Sequence, residues 1–186
     1  MLGQRIAGGN ELLNPIYILK EVLEIQPKTQ VGDLGCGSMG FFTLQAAKLV
    51  GDQGQVFAVD ILKDVLSSVE GRACQEGLYN IKTVWSNLEV AGATNIKEGS
   101  LDYTLYVNTL FQSKKHKEML EEAYRLLKKD GKLLIVDWKN STGPIGPTPE
   151  TKIGADQISR IAISLGFKLE KEFKAGENHY GLILVK

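Results

Sequence analysis

Apolar and polar positions along this chain alternate between two periods. Ile16, Leu19, Val22 and Leu23 recur at helical spacing behind Asn14-Pro15, an N-cap followed by a first-turn proline, and Pro27 stops that helix. Residues 30–34 then read as a strand, Phe41 to Val50 as a helix ended by Gly51, and Gln55–Asp60 as a second strand. Leu62 to Gln75 reads as a helix closed by Gly77, Ile81–Ser86 as a third strand, and the stretch through Gly99 as a loop. Leu101–Val107 is apolar enough for a strand covered on both faces. His116 to Lys128 carries Met119, Leu120, Ala123, Leu126 and Leu127 on one helical stripe, and Asp130-Gly131 turns into a fifth strand, Lys132–Asp137.

The rhythm changes after residue 138. Lys139–Thr151 is a loop with three prolines, and a helix from about Asp156 to Leu165 follows, closed by Gly166. Two β-rich runs, Phe167–Phe173 and His179–Val185, flank the turn-like Ala175-Gly176-Glu177-Asn178 and predict an antiparallel pair. The expected architecture is α/β: a mostly parallel, doubly wound sheet with an antiparallel hairpin at its end. No internal repeat, low-complexity tract or linker interrupts it, so residues 1–186 are read as one domain.

Composition narrows the class. The 186 residues are 43% hydrophobic and 24% charged, ordinary for a globular protein. Lys+Arg and Asp+Glu number 22 each, so no global field draws the chain to nucleic acid or an anionic membrane. Cys36 and Cys74 match neither a metal-ligand spacing nor a disulfide framework. No apolar run reaches membrane-spanning length and no signal-peptide pattern is present, so a cytoplasmic protein is expected. Nothing in the pattern specifies an oligomeric state.

The chemistry concentrates at Val31-Gly32-Asp33-Leu34-Gly35-Cys36-Gly37-Ser38-Met39-Gly40, a strand, a tight glycine turn and a helix start. Gly35 and Gly37 let backbone approach a ligand, and the helix behind them offers free N–H groups. Asp60, closing the second strand, is placed to accept hydrogen bonds from both hydroxyls of a ribose. Gly35, Gly37 and Gly40 also satisfy the G-x-G-x-x-G dinucleotide pattern. Asp33 opposes that assignment: a pyrophosphate over the turn would meet a like charge, whereas a cationic nucleoside would be welcomed.

These residues resemble a known family. Asp33-Leu34-Gly35-Cys36-Gly37-Ser38-Met39-Gly40 is similar to the first motif of class I S-adenosylmethionine-dependent methyltransferases. Val56-Phe57-Ala58-Val59-Asp60 resembles the second-strand motif, and Ser100-Leu101-Asp102-Tyr103 leading to Val107-Asn108 the fourth-strand motif. Arg125 to Leu133 is similar to the passage into strand five, and the terminal hairpin to the reversed seventh strand. The resemblance spans nearly the whole chain. It implies a Rossmann-like seven-stranded sheet with helices on both faces, S-adenosylmethionine as cofactor, and methyl transfer to an acceptor, by preference a small molecule.

By that resemblance, Gly35, Cys36, Gly37 and Gly40 form the cofactor turn, with Gly35 and Gly37 under the methionine portion. Asp33 would reach the cofactor's amino group, Asp60 the ribose, Ile61 the adenine, Asn87 the adenine amino group through its amide oxygen, and Asn108 the neighbourhood of the methyl group. The acceptor wall is expected from Gly8–Asn14, Asn108–Ser113 and the lid-length loop Lys139–Thr151. No catalytic residue is singled out, and no metal site is expected. Asp137 could suggest metal-dependent chemistry, but Asn108 stands where a second acid ligand would be needed. Cys36 reads as a packing residue rather than a reactive thiol, His116 and His179 show no evident partner, and Lys114-Lys115-His116-Lys117 reads as a solvated helix start. Trp85 and Trp138 either line a pocket or fill a core edge. A nicotinamide-dinucleotide-dependent oxidoreductase and a non-catalytic nucleoside-binding module acting through a partner remain as alternatives.

Overall fold

The computed structural model describes residues 12–140 and 146–186. Seven strands form one sheet: β1 (Gln30–Leu34), β2 (Gln55–Asp60), β3 (Ile81–Trp85), β4 (Leu101–Val107), β5 (Leu127–Trp138), β6 (Lys168–Lys174) and β7 (His179–Val185). Their order is β3-β2-β1-β4-β5-β7-β6. The first five run parallel, whereas β7 pairs antiparallel with both β5 and β6. This is the doubly wound sheet with a reversed terminal hairpin that the pattern predicts. The order turns back between β1 and β4, and the cleft between their carboxyl ends is where such sheets bind ligands.

Strand parity assigns the two faces. Val31, Val56, Leu105, Leu134, Val136 and Ile183 pack with Phe42, Ala46 and Ala47 of α1 (Phe41–Val50) and with the N-terminal residues Ile18, Leu19, Val22 and Leu23. On that same face, Ala58 packs against Leu66 and Val69 of α2 (Lys63–Gln75). The opposite face is covered by α3 (His116–Leu126) and α4 (Ala155–Ser164), which bury Leu120, Ala123, Ile158 and Ala162 over Leu101, Leu133, Ile135 and Leu182. Burial on both sides explains why β4 and β5 read as unbroken apolar runs.

Two elements depart from the pattern. The N-terminal helix starts as expected, with Asn14 Oδ1 accepting the Tyr17 N–H at 3.1 Å. It then widens into a π-wound turn, Tyr17–Val22, in which the Leu23 N–H reaches the Ile18 carbonyl at 2.9 Å. The third helix ends at Leu126, so Leu127 and Lys128 belong to β5. Leu127 turns extended and pairs with Leu101. The helix carbonyls left open there find partners outside the helix: the N–H groups of Gly99 and Ser100 donate to Arg125 and Leu126, and Lys186 Nζ to Tyr124 and Leu127. Leu127 is buried wherever the helix stops, so its hydrophobicity could not mark the boundary.

Candidate cofactor cleft

β1 runs into the glycine turn because the N–H groups of Gly35 and Cys36 both donate to the Val59 carbonyl, at 2.8 and 3.1 Å. That pairing brings the turn beside the end of β2. At Gly35, φ is +85° and an added Cβ would lie 2.5 Å from Thr109 Cγ2, so only glycine lets the β1 turn and the β4 loop approach this closely. Gly37 differs: φ is +65°, but nothing lies within 4 Å of where its Cβ would stand. Its missing side chain leaves open space in the cleft. Gly40 precedes α1, and its carbonyl accepts the Leu44 N–H; a Cβ there would meet Val69 of α2.

The cleft has a volume of about 420 Å³, within the range of small-molecule sites. Gly35 and Gly37 form one wall, with Asp60, Ile61, Leu62 and Val65 beside them. Ser86, Asn87, Leu88 and Glu89 follow β3, while Thr109, Gln112, Ser113 and Met119 close the β4 side. Among the described residues, two carboxylates line this space and no lysine or arginine does. A pyrophosphate would find no counter-charge on these walls; a sulfonium nucleoside would find two.

Asp60 is held in place by backbone donors. Its Oδ2 accepts the Gly37 N–H at 3.3 Å and its Oδ1 the Leu62 N–H at 3.0 Å, so the turn and the start of α2 both orient one carboxylate. Ile61 and Leu62, 50% and 59% exposed, offer apolar surface at its side. Trp85 Nε1 donates to the Ile61 carbonyl at 2.8 Å and stiffens that edge. Trp85 is therefore an exposed brace on the cleft's rim and not core filling.

The structure separates the remaining predicted residues. Asp33 lies beneath the glycine turn, 2% exposed, with its Oδ2 accepting the hydroxyl of Thr43 in α1. Burial, reinforced by the Asp60 charge, pushes its carboxyl up to about 6. Its influence on the cleft is that of a charge below the floor. Cys36 is buried between Ala58 and α2, and burial with two nearby carboxylates pushes its thiol upward, as suits a packing residue. Asn87 lines the cleft, but its Oδ1 already accepts the Glu89 N–H at 2.9 Å. Asn108 stands at the end of β4 with φ +53°, its N–H on the Val136 carbonyl and its own carbonyl accepting from Gln112 Nε2.

Three groups escaped the sequence reading. Glu89 faces the cleft with its Oε1 accepting the Ser113 hydroxyl at 2.7 Å, tying the β3 loop to the start of α3. Thr109 bridges the two sides of the switch point, its hydroxyl 3.3 Å from the Leu34 carbonyl and 3.2 Å from that of Val107. Glu122, wholly buried, takes the N–H groups of Gly92 and Thr94 and pairs with Arg125 at 2.7 Å, fixing the loop before β4. The only signal for Thr109 was its place in the segment Asn108–Ser113. For Glu89 and Glu122 there was none, since an acid in a loop or on a helix reads as solvated.

Beyond the cleft, the carboxyl edge continues over β5 and β7. Asp137 is not displayed to a ligand: it is buried, accepts the N–H groups of Leu110, Phe111 and Trp138, and pins the short helical turn Leu110–Gln112. Burial outweighs those three bonds and pushes its carboxyl up to about 6. His116 Nε2 lies 3.1 Å from the Leu110 carbonyl and braces the same turn. Of the expected acceptor wall, residues 8–11 and 141–145 lie outside the described residues; Leu12 and Leu13 pack near Gly176, and Gly146 against Trp138. Among the described residues no helix is long and apolar enough to cross a membrane.

Known proteins share this arrangement. A family profile described as a methyltransferase domain matches residues 25–163. Demethylmenaquinone methyltransferases of Lactococcus lactis and a Geobacillus species are 27% and 26% identical to it over 113 and 122 residues. Those matches cover 61% and 64% of this chain but 43% and 50% of the relatives, so the chain spans about half their length. Among solved structures, a SAM-dependent methyltransferase from Aquifex aeolicus superposes with a TM-score of 0.86 at 24% identity, covering 95% of this chain and 91% of its own. A putative type 11 methyltransferase from Sulfolobus solfataricus gives 0.73 at 24% identity, covering 93% and 92%. At these identities the structural likeness is one of fold.

Proposed function

Because the chain belongs to the class I S-adenosylmethionine-dependent methyltransferase family, we propose that it transfers a methyl group from S-adenosylmethionine to a small-molecule acceptor by in-line displacement. The observation that carries this reading is Asp60, oriented by two backbone N–H groups in a cleft that, among the described residues, is lined by carboxylates and by no lysine or arginine. The residues fit the cofactor: open space stands over Gly37, a carboxylate at the ribose position, and apolar Ile61 and Leu62 where a purine ring would pack.

When bound, the cofactor supplies a sulfonium-activated methyl group open to attack opposite the sulfur. The chain's own work is orientation and electrostatics. Gly35 and Gly37 admit the methionine portion, Asp60 holds the ribose hydroxyls, and Asp33 adds negative charge under the turn. The Asn87 amide N–H groups and the Glu89 carboxylate offer a donor and an acceptor to the purine edge, a division that the occupied Asn87 oxygen favours. Asn108 and Thr109 border the path from donor to acceptor, and Cys36 and Gly40 shape the turn from behind.

We read residues 1–186 as one such domain, in a cytoplasmic setting that suits the two unpaired cysteines. The names of the curated relatives make a demethylmenaquinone-like ring the first acceptor to try. Calorimetric titration tests the reading directly: S-adenosylhomocysteine should bind and NAD should not. Binding of NAD alone would restore the dinucleotide oxidoreductase. Binding of S-adenosylhomocysteine without labelled-methyl transfer to any acceptor would leave a nucleoside-binding module.

A further inference from the structure

Ser113 lies between the short helical turn after β4 and the start of α3, lines the cleft, and is 9% exposed. Its hydroxyl is used at both ends. The oxygen accepts the Lys115 N–H at 2.9 Å, and the proton goes to Glu89 Oε1 at 2.7 Å. A carboxylate can only accept, so the direction of that proton is settled. Ser113 is therefore a fixed donor that reaches a carboxylate on another wall of the cleft, the one that follows β3.

Both ends of this contact are anchored. The Ser113 N–H donates to the Leu110 carbonyl at 3.1 Å, closing the turn that Asp137 pins. On the other wall, the Ser86 N–H donates to the Asp60 carbonyl at 3.1 Å. Asn87 then closes a turn, its side-chain oxygen taking the Glu89 N–H and its carbonyl the Val90 N–H. The exposed Lys115 ammonium stands 3.8 Å from Glu89 Oε2, a loose surface pair that cannot set the carboxylate's direction. The Ser113 hydroxyl sets it.

The surroundings say what the held carboxylate can read. Ile61, Leu62, Val65, Leu88 and Met119 give the cleft apolar sides suited to a flat ring. Its polar edge pairs Asn87, whose amide oxygen is spent and whose amide N–H groups remain, with Glu89, which only accepts. A 6-aminopurine offers the matching pair, an amino N–H beside a ring-nitrogen lone pair. A 6-oxopurine offers the reverse: its oxygen meets the carboxylate, and its ring N–H meets the amide N–H groups. A site built for one pattern rejects the other strongly, because its own polar groups are left opposed and unpaired.

We propose that Ser113 is a positioning residue for base selectivity: it holds the Glu89 carboxylate across the cleft so that a 6-aminopurine nucleoside is accepted and its 6-oxo counterpart refused. This rests on the methyltransferase reading of the cleft, and adds what the site selects against and the side chain that enforces the choice.

The test is calorimetric titration of the full chain with S-adenosylhomocysteine and with S-inosylhomocysteine, which differ only at the 6-position and its neighbouring ring nitrogen. The readout is the ratio of the two affinities. A purely structural role for Ser113 would leave that ratio unmoved, since both ligands meet the same folded fraction. Wild type should favour the adenine compound at least about tenfold, the worth of one hydrogen bond to a charged group. Ser113→Ala should lower the ratio at least about threefold by freeing the carboxylate, and Ser113→Thr, which keeps the hydroxyl, should restore it. Glu89→Gln leaves the Lys115 N–H capped and can offer an N–H to the oxo group, so its ratio should fall lowest, to about one or below. Should Ser113→Ala not fold, Ser113→Thr and Glu89→Gln still read the same ratio. A wild-type ratio below about tenfold overturns the proposal, as does a smaller than threefold change in Ser113→Ala. A Ser113→Thr ratio as low as that of Ser113→Ala, or a Glu89→Gln ratio equal to wild type, overturns it as well. A wild-type chain that does not bind S-adenosylhomocysteine refutes the cofactor reading itself, a distinct result.

Discussion

Asp60 and Asp137 stand at the ends of two strands of one sheet, at the same edge, and each accepts backbone N–H from the turn that follows the neighbouring strand. Their fates differ because their surroundings do. Asp60 ends β2 in an open cleft, takes two backbone bonds and keeps lone pairs facing the space above Gly37. Asp137 ends β5 under the turn Leu110–Gln112, takes three backbone bonds, and is 1% exposed. The same residue at the same kind of position lines an open cleft on one side of the switch point and is a strut on the other. The cleft side is held by backbone bonds and open, and the β5 side is braced and enclosed.

The sharpest way to break this comparison is to remove each carboxylate. Asp137→Ala strands three N–H groups in a buried place and should cost roughly 3 kcal/mol or more in denaturant unfolding. A loss below about 1 kcal/mol would mean that solvent reaches the turn and that Asp137 is no strut. Gly35→Ala comes next: its Cβ must push Thr109 aside at a positive φ, so about 2 kcal/mol of stability should go. Gly37→Ala, with the same backbone sign but empty space, should lose only about 1 kcal/mol while weakening S-adenosylhomocysteine binding. Equal losses from the two glycines would refute the close approach of the β1 turn to the β4 loop.

Asp60→Ala should leave unfolding nearly unchanged yet weaken S-adenosylhomocysteine by about 10- to 100-fold, the worth of hydrogen bonds to a charged group. An affinity within twofold of wild type would remove Asp60 from the site. The smallest effect is a pH dependence. Asp33 and Asp137 both titrate at about 6 in the folded chain against 3.8 for the ordinary group. Between those values the unfolded chain holds fewer protons at these two sites than the folded chain does. Their contribution to stability is therefore full below about pH 4, falls as pH rises, and levels off above about 6. Asp33→Asn should flatten its share of that fall and raise the melting temperature at pH 7, most visibly beside wild type in a melt series from pH 4 to 8. An unchanged slope would show that the Asp33 carboxyl is solvated.

Much of the cleft around the glycine turn was legible because it is local. Gly35, Gly37 and Asp60 declare themselves through spacing, and a strand, a turn and a helix start fix their geometry within a few residues. Asp33 was legible as an acid beside the turn, but its burial was not, since the Thr43 contact belongs to α1. The side of the cleft built by the β3 and β4 loops was barely legible. Glu89, Thr109 and Glu122 act across loops whose reach depends on how β3, β4 and α3 pack. The end of the third helix was misplaced for the same reason: Leu127 is apolar in helix and strand alike, and its pairing with Leu101 decides the matter.

By itself, then, the sequence determined the alternation of elements, the reversed hairpin, the glycine turn and the acid that closes the second strand beside it. These follow from short-range periodicity and from backbone conformations that only certain residues adopt. The tertiary structure alone decided which acids are open and which are buried, that no cation among the described residues lines the cleft, and that His179 meets Trp138 with both nitrogens unspent. Those outcomes depend on which distant segments come to share a surface, and on how much water that contact leaves behind.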